Sequence, residues 1–360
     1  MSFTPDDTLP ARSLAAVCEA YGLGTPVDTV FIARGAMGAV NKITTELDGR
    51  RQNWTVKRSY WSHYTEDAIR REVEFTEQCR GVGVPGPRSI PRTDDGSYVL
   101  TIDDQPSGDD RPAIDDHPGV GEQPGDDQAE RGEHPGTSTQ YRVLDWLDGR
   151  VGRDDDPERI VPIAEWLAAI HRLAADTDGQ PIDPWFIRVD YQWDELATRL
   201  DGSAPDLAEL IRSRRRDLLE LTELVNGAPQ DGAVWCHTDV GAENLIWLPE
   251  GPWLIDWENS GPLVPRQELG GVIRANADRG IELYAAYRRA GGPAEFHQPS
   301  DLATSVAAHL NFLGVQSELL LDESHPEQHD FARNAVNKVG RSVSTMAELE
   351  KWIIELSAVG

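Results

Sequence analysis

Cysteine is scarce in this sequence, and long uncharged apolar runs are absent. Its three cysteines, Cys18, Cys79 and Cys236, are widely spaced and form neither a metal-binding nor a redox pair. A membrane-spanning helix would need about 20 consecutive apolar residues. The N-terminal MSFTPDDTLPARS carries acidic residues where a secretory signal would be positively charged. We therefore expect a reduced, cytoplasmic protein without a transmembrane segment.

Positive charge is also scarce. The net charge is −28, which opposes binding to nucleic acid or to an anionic membrane surface, so we expect neither as a partner. Almost all basic residues are arginine, and the lysines are Lys42, Lys57, Lys338 and Lys351. An acidic, lysine-poor surface suits solubility at high salt, and a halophilic source is therefore one hypothesis. Because lysine is so rare, each of these positions is a candidate for a specific role.

The first part of the chain has the pattern of strands with two helices. VDTVFIARGAMGAVNKITTEL predicts a hairpin around a glycine turn, and RQNWTVKRSYW, SYVLTI and QYRVLDWL predict three further strands. Leu9–Gly22 has the apolar spacing of an amphipathic helix. A second helix is expected to begin at a Thr65 cap and to stop at Gly81.

From Asp156 onward the pattern becomes helical. Beyond the first predicted helix, which contains LAAIHRL, helical patterns cover Ser203–Asn226, Gln267–Ala290, Asp301–Leu321 and His325–Leu356. A chain of 360 residues is too long for one core of ordinary size. We predict a strand-rich N-terminal lobe over residues 1–143, a hinge over 144–149 and a helical lobe over 150–360.

An acidic segment, residues 103–138, separates the strands SYVLTI and QYRVLDWL. From Asp103 to Gly136 it contains eleven acidic residues and two arginines, with almost no aliphatic side chains. Such a segment cannot bury enough apolar surface to offset its ordering entropy, so we predict that it is disordered. Two interpretations stay open, an acidic interaction tail or a tolerated loop insertion. We favour the insertion, because surface loops accept added length at low cost.

The stretch CHTDVGAENLIWLPEGPWLIDWE, from Cys236 to Glu258, concentrates polar side chains around two short apolar runs. The runs NLIWL and PWLID, joined by PEG, predict a tight hairpin. A hairpin returns to its start, so Asn244 at its entrance and Asp256 at its exit are expected to converge. Their hard oxygen donors suit Mg²⁺, and Asp239 would then lie beside the ion. We interpret His237 as structural, tying the loop together by hydrogen bonds.

The pattern H-T-D-x-x-x-x-N followed by L-I-D resembles the catalytic and metal-binding loops of the aminoglycoside phosphotransferase family. The resemblance runs from about residue 27 to about residue 274, and it departs at Val264, where many members have Asp. It implies an α+β, bilobal, protein-kinase-like fold with an antiparallel-sheet N-lobe and a larger helical C-lobe. By analogy with protein kinases, it also implies that Asp239 is the catalytic base and that Asn244 and Asp256 hold magnesium.

The same resemblance calls for a glycine-rich hairpin, a strand lysine and a helix glutamate upstream of the catalytic loop. RGAMGAV, Lys57 and Glu72 occur in that order. The resemblance implies that the hairpin covers the nucleotide phosphates and that Lys57 contacts the α/β-phosphates and pairs with Glu72. The implied nucleotide-binding residues of the hairpin are Gly35, Met37 and Gly38.

Alternatives remain open for these upstream residues. RGAMGAV lacks the full GxGxxG pattern and alone is as typical of an ordinary hairpin turn. Glu72 also fits a solvated helix residue paired with Arg70 or Arg71, and Glu74 competes for its role.

Two further features follow from the resemblance. YRVLDWLDG falls where the hinge is expected, which implies that adenine bonds to the backbone at Trp146 and Leu147. His171, in LAAIHRL, matches a recurring family feature, and we interpret it as a buried helix residue that supports the catalytic loop.

We therefore expect an enzyme that transfers the γ-phosphate of ATP, or GTP, to a hydroxyl of a small molecule with Mg²⁺. Aminoglycosides, sugars, amino sugars and amino alcohols all fit the scaffold as acceptors. The alternatives are a non-catalytic nucleotide-binding regulatory protein and a protein kinase, although no APE motif follows Asp256. A third is an unrelated hydrolase whose metal is held by His237 and Asp239, for which Glu243 and Glu258 are the nearby extra ligands.

Overall fold

A computed structural model of the protein describes residues 8–34, 38–59, 64–103, 138–323 and 326–359. Gly35, Met37 and residues 104–137 of the predicted insert lie outside the described residues. Within the described ranges, every helix is too short or too polar to cross a bilayer. The chain divides into two compact units, one formed by Met1–Glu74 with Pro87–Asp148 and the other by Phe75–Gly86 with Gly149–Gly360.

The first unit is built on a five-stranded antiparallel sheet with the strand order β1-β2-β3-β5-β4. Its strands are β1 (Thr25–Arg34), β2 (Gly38–Leu47), β3 (Arg50–Ser59), β4 (Leu100–Asp103) and β5 (Ser138–Asp145). The helix α1 (Ala11–Ala20) contributes Val17 to a core that includes Ile43, Val56 and Val143 from the sheet. Because side chains alternate along a strand, the residues between these positions belong to the opposite face.

The helix α2 (Glu66–Gly81) follows the third strand. The hydroxyl oxygen of Thr65 accepts the backbone N–H of Ala68 at 3.2 Å, as a capping residue does. Acidic residues occupy the first turn and Arg80 the last, which complements the helix dipole. The predicted Thr65 start and Gly81 stop are confirmed.

The second unit is mainly helical, with a core to which α3 contributes Ile163, Leu167 and Ile170. Its helices are α3 (Ile160–Leu173), α4 (Pro184–Ile187), α5 (Trp193–Leu200), α6 (Pro205–Ser213), α7 (Arg215–Asn226), α8 (Pro265–Ala275), α9 (Gly280–Arg289), α10 (Ala303–Leu319), α11 (His329–Ser342) and α12 (Met346–Ser357). Three of the long helices predicted from sequence are thus each divided in two. One division has a local cause, since Thr345 and Glu348 form a capping box that begins α12.

Short strands surround the predicted hairpin of the second unit. The strands are β6 (Arg150–Val151), β7 (Val234–Cys236), β8 (Leu245–Leu248), β9 (Gly251–Leu254) and β10 (Gly261–Leu263). They form a three-stranded sheet in the order β6-β8-β9 and a pair of β10 with β7. The strands β6, β7 and β10 were not predicted from sequence, because strands of two or three residues are too short to show a periodic pattern.

Candidate active site

The β8–β9 hairpin brings the predicted metal ligands together. Leu245 pairs with Leu254, and the N–H of Ile255 donates to the backbone carbonyl of Asn244 at 2.9 Å. Asn244 therefore lies across from Ile255, one position before Asp256. This is the convergence expected from a hairpin whose strands are only four residues long.

The Asn244 side chain connects the hairpin to Asp239. Its Nδ2 donates to the backbone carbonyl of Asp239 at 2.8 Å and to Oδ2 of the same residue at 3.1 Å. An amide nitrogen has two protons to donate, and both point to Asp239. The carbonyl oxygen Oδ1 of Asn244 is therefore the atom suited to a cation.

Asn259 also contacts Asp239, a contact that no sequence motif predicts. Its Nδ2 lies 3.4 Å from Oδ2 of Asp239, and its backbone carbonyl accepts the Thr238 hydroxyl at 2.6 Å. Among the residues that the structure describes, no hydrogen bond reaches the Oδ1 atom of Asp239. One carboxylate oxygen of Asp239 is thus contacted by two amides, and the other has no hydrogen-bond partner among the described residues.

Two non-glycine residues at the site have left-handed backbones. Thr238, just before Asp239, has φ +67°, and Asp256 has φ +66°. This conformation is rare for a β-branched residue such as Thr238. Each non-glycine residue in it lowers the stability of the fold by about 1–3 kcal/mol and is held there by surrounding contacts. For Thr238 those contacts are the bond to Asn259 and a 2.6 Å hydrogen bond from its N–H to Oε1 of Glu268.

A buried hydrogen-bond network contacts the loop that contains Thr238 and Asp239. Oε2 of Glu268 lies 2.6 Å from Nε2 of His171, whose Nδ1 lies 2.8 Å from the Tyr287 hydroxyl. Burial raises the pKa of Glu268, but the hydrogen bonds from His171 and from the N–H of Thr238 outweigh burial and leave that pKa below its usual value. The carboxylate is therefore ionised, and it anchors the backbone of the loop.

The network also contains Cys236, and its residues have the types of a metal site. Ligand atoms of His171, Cys236 and Glu268 lie within 4.8 Å of one another. Both ring nitrogens of His171 and both oxygens of Glu268 already have hydrogen-bond partners. Burial raises the pKa of Cys236 well above its usual value, so it carries a neutral thiol. The group is a structural support, as predicted for His171.

His237 links the two loops. Its Nε2 donates to the carbonyl of Ile255 at 3.1 Å, and its Nδ1 accepts the N–H of Asp239 at 3.3 Å. Burial lowers the pKa of His237, although the charges of Glu268 and Asp239 oppose that shift. The imidazole is therefore neutral with its proton on Nε2. Both nitrogens are used within the protein, which removes His237 as a metal ligand.

A pair of substitutions separates backbone strain from hydrogen bonding at Thr238. Thr238→Ala keeps the left-handed strain and loses the hydroxyl bond to Asn259, so we expect a loss of about 1 kcal/mol of stability. Thr238→Gly loses the same bond but relieves strain worth about 1–2 kcal/mol. Urea unfolding should therefore rank the glycine variant above the alanine variant. The reverse order would show that the backbone at this position is not strained.

In the first unit, Lys57 lies on β3 directly opposite Arg142 on β5. Glu72 on α2 is 8 % exposed and forms an ion pair with Arg142, with nitrogen–oxygen distances of 2.6 and 2.9 Å. Glu74 is exposed, and Arg70 pairs with Glu66 at 2.9 Å. The alternative of a solvated Glu72 is therefore wrong, since this carboxylate is buried against the sheet. The role of Arg142 was not expected from sequence, because no motif marks it.

The other predicted nucleotide-binding residues lie at the ends of strands. Gly38 begins β2, where a Cβ atom would clash with the backbone carbonyl oxygen of Arg58, so a larger residue does not fit. Trp146 and Leu147 directly follow β5, and Lys42 Nζ lies 4.7 Å from the centroid of the Trp146 ring. Within the described part of the chain, the backbone groups of Trp146 and Leu147 make no hydrogen bonds.

A model of the phosphotransferase enzyme family matches residues 38–302. Among curated proteins, none shows significant sequence similarity to the chain. Solved structures with the same fold include a spectinomycin phosphotransferase in complex with ADP and spectinomycin, at 12 % identity and a TM-score of 0.61. That alignment covers 98 % of this chain and 100 % of the other.

Two further structures share the fold. An amicoumacin kinase in complex with AMP-PNP, Ca²⁺ and Ami is 13 % identical with a TM-score of 0.58, over 92 % of this chain and 93 % of that one. A microcompartment-associated aminopropanol kinase is 14 % identical with a TM-score of 0.52, over 95 % and 98 %. These similarities confirm the predicted α+β, protein-kinase-like fold with an antiparallel-sheet lobe and a helical lobe.

Proposed function

Because this chain belongs to the phosphotransferase enzyme family, we propose that it transfers the γ-phosphate of ATP to a hydroxyl group of a small molecule with the help of Mg²⁺. The observation that carries the proposal is the hydrogen bonding of Asn244, which fixes Asp239 and the hairpin that ends at Asp256 in one place. Phosphoryl transfer depends on positioning and on charge neutralisation more than on covalent chemistry of the protein. The hydrogen bonds support the positioning, and Mg²⁺ held by Asn244 and Asp256 would supply the charge neutralisation.

Asp239 is the proposed base. The acceptor hydroxyl oxygen bonds to the γ-phosphorus, the bond from that phosphorus to the β–γ bridging oxygen breaks, and ADP leaves with the electron pair. The hydroxyl proton passes to Oδ1 of Asp239. Asn244 and Asn259 hold the other oxygen of this carboxylate, so its orientation is set before the acceptor binds, which is what a positioned base requires.

Oδ1 of Asn244 and the carboxylate of Asp256 are the proposed magnesium ligands. An amide oxygen and a carboxylate are the hard donors that Mg²⁺ prefers, and two protein ligands leave coordination positions for phosphate oxygens and water. Because Nδ2 of Asn244 donates to Asp239, the side-chain oxygen Oδ1 of Asn244 faces away from Asp239. When bound, the ion neutralises negative charge on the phosphates.

The first unit supplies the proposed contacts to the nucleotide. Lys57 contributes positive charge to the α/β-phosphates, and Glu72 orients it. The backbone of Trp146 and Leu147 accepts and donates the hydrogen bonds of the adenine edge. The hairpin residues proposed to cover the phosphates are Gly35, Met37 and Gly38.

We propose a small hydroxyl-bearing acceptor of the aminoglycoside, sugar, amino sugar or amino alcohol class. The spectinomycin phosphotransferase and the aminopropanol kinase, which share the fold, support an acceptor of this size. The net charge of −28 favours a cationic acceptor over an anionic one.

An ADP-release screen tests the proposal. The purified protein is incubated with Mg-ATP or Mg-GTP and a panel of aminoglycosides, sugars, amino sugars and amino alcohols, with Asp239→Ala as the blank. We expect acceptor-dependent ADP release by the wild type with at least one panel member, accompanied by a phosphorylated acceptor in the mass spectrum. Nucleotide binding without phosphorylation of any acceptor would favour the non-catalytic alternative. A wild type that neither binds nucleotide nor phosphorylates any acceptor would contradict the proposal.

A further inference from the structure

Arg142 is a buried cation on the same face of the sheet as Lys57. The residue is 3 % exposed, and it pairs directly with Lys57 across β3 and β5. Directly opposite residues of antiparallel strands point their side chains to the same face. The next pair along, Val56 and Val143, belongs to the core that contains α1. Alternation therefore places Lys57 and Arg142 together on the other face.

The guanidinium of Arg142 fixes the orientation of Glu72. Nη2 contacts Oε1 at 2.6 Å and Nη1 contacts Oε2 at 2.9 Å, so both carboxylate oxygens are held by one rigid fork. The guanidinium carbon Cζ of Arg142 lies over the Tyr64 ring, 5.8 Å from the centroid of the ring. Arginine stays charged at any physiological pH. Glu72 is thus tied to β5 at the strand position opposite Lys57.

We propose that Arg142 is a positioning residue for the nucleotide phosphates, acting through Glu72 on Lys57. Arg142 holds the Glu72 carboxylate at the strand position opposite Lys57. With the carboxylate held in one orientation, Glu72 directs the ammonium of Lys57 toward the phosphate chain, and without Arg142 that orientation is lost. This inference rests on the proposed function, because it assigns the charge of Lys57 to a nucleoside triphosphate.

The test is the binding of Mg–AMP-PNP, measured by calorimetry, to the wild type and to Arg142 variants. We expect Arg142→Met to weaken binding by about 10–100-fold, as when a residue that orients a ligand-binding group is lost. Arg142→Lys keeps the charge but not the bidentate fork, so it should recover part of the affinity. With an acceptor from the screen, the KM for ATP should rise and the KM for the acceptor should stay unchanged.

A double variant separates positioning from folding. Arg142→Met leaves Glu72 buried without this partner and lowers the melting temperature, whereas Arg142→Met with Glu72→Met replaces the pair by apolar side chains that a folded protein tolerates. Because Arg142 acts through Glu72, we expect the double variant and Glu72→Met alone to bind Mg–AMP-PNP equally weakly. Additive losses would show that Arg142 acts independently of Glu72 and would overturn the proposal.

Arg92→Met is the matched control. Arg92 lies in the same unit, is ion-paired with Asp94, and is not among the contacts of Glu72. The Arg92→Met variant should leave Mg–AMP-PNP binding unchanged. Wild-type affinity in folded Arg142→Met would assign Arg142 to structure alone and overturn the inference. A wild type that binds Mg–AMP-PNP but phosphorylates no acceptor would refute the proposed function while leaving this test valid, and failure of the wild type to bind would refute both.

Discussion

Asp239→Asn is expected to lower kcat by about 10²–10⁴-fold, the contribution of a positioned general base. The substitution preserves the size of the side chain, and the Asn carbonyl oxygen still accepts the Nδ2 protons of Asn244 and Asn259. The atom lost is Oδ1, which becomes an amide nitrogen and accepts no proton from the acceptor hydroxyl. Because the nucleotide contacts are proposed for other residues, the KM for ATP should change little.

Steady-state kinetics with an acceptor from the screen measures this effect. Asp155→Asn is the matched control, since Asp155 is an exposed carboxylate in the same unit, ion-paired with Arg153. It should retain wild-type turnover. Circular dichroism and the melting temperature establish that both variants are folded. Turnover of Asp239→Asn equal to that of the control would rule out Asp239 as the base.

Asn259 restrains the surroundings of Asp239, the proposed base. Asn259 is the second amide on Oδ2 of Asp239, beside the amide of Asn244. Its backbone carbonyl also accepts the Thr238 hydroxyl. Asn259 therefore restrains both the strained backbone at Thr238 and the carboxylate of Asp239.

The parts of the fold that were predicted from sequence carry local signals. The Thr65 cap and the Gly81 stop of α2 lie within one turn of the helix ends that they determine. The NLIWL and PWLID runs place Asn244 and Asp256 together because a short hairpin leaves no other register. In each case, the residues that decide the structure are close together in the chain.

The parts that were not predicted depend on pairs that are distant in the chain. Arg142 and Glu72 are 70 positions apart, and Thr238 and Glu268 are 30 positions apart. An arginine on a strand and a glutamate on a helix have no periodic pattern that assigns them to each other. Glu268 lies within the family resemblance, which extends to about residue 274, but a resemblance alone does not say which backbone group the carboxylate holds.

Asp256→Asn is expected to lower kcat by about 10²–10³-fold at moderate Mg²⁺, the range for losing one electrostatic contribution to the transition state. Asparagine is the suitable replacement because Asp256 has φ +66°. Asn and Asp adopt the left-handed conformation more readily than other non-glycine residues, whereas alanine would add strain and confuse loss of the ligand with distortion of the loop. The variant therefore removes negative charge while the backbone stays in place.

The dependence on metal concentration distinguishes a magnesium ligand from a structural carboxylate. If Asp256 binds Mg²⁺, the concentration required for half-maximal activity should rise in Asp256→Asn, and part of the lost activity should return at saturating Mg²⁺. Glu250→Gln, in the turn of the same hairpin, is the control and should show the wild-type dependence. A loss of activity that is equal at all Mg²⁺ concentrations would mean that Asp256 supports the loop rather than the ion. The proposed magnesium site would then be contradicted, because it requires protein oxygens from both Asn244 and Asp256.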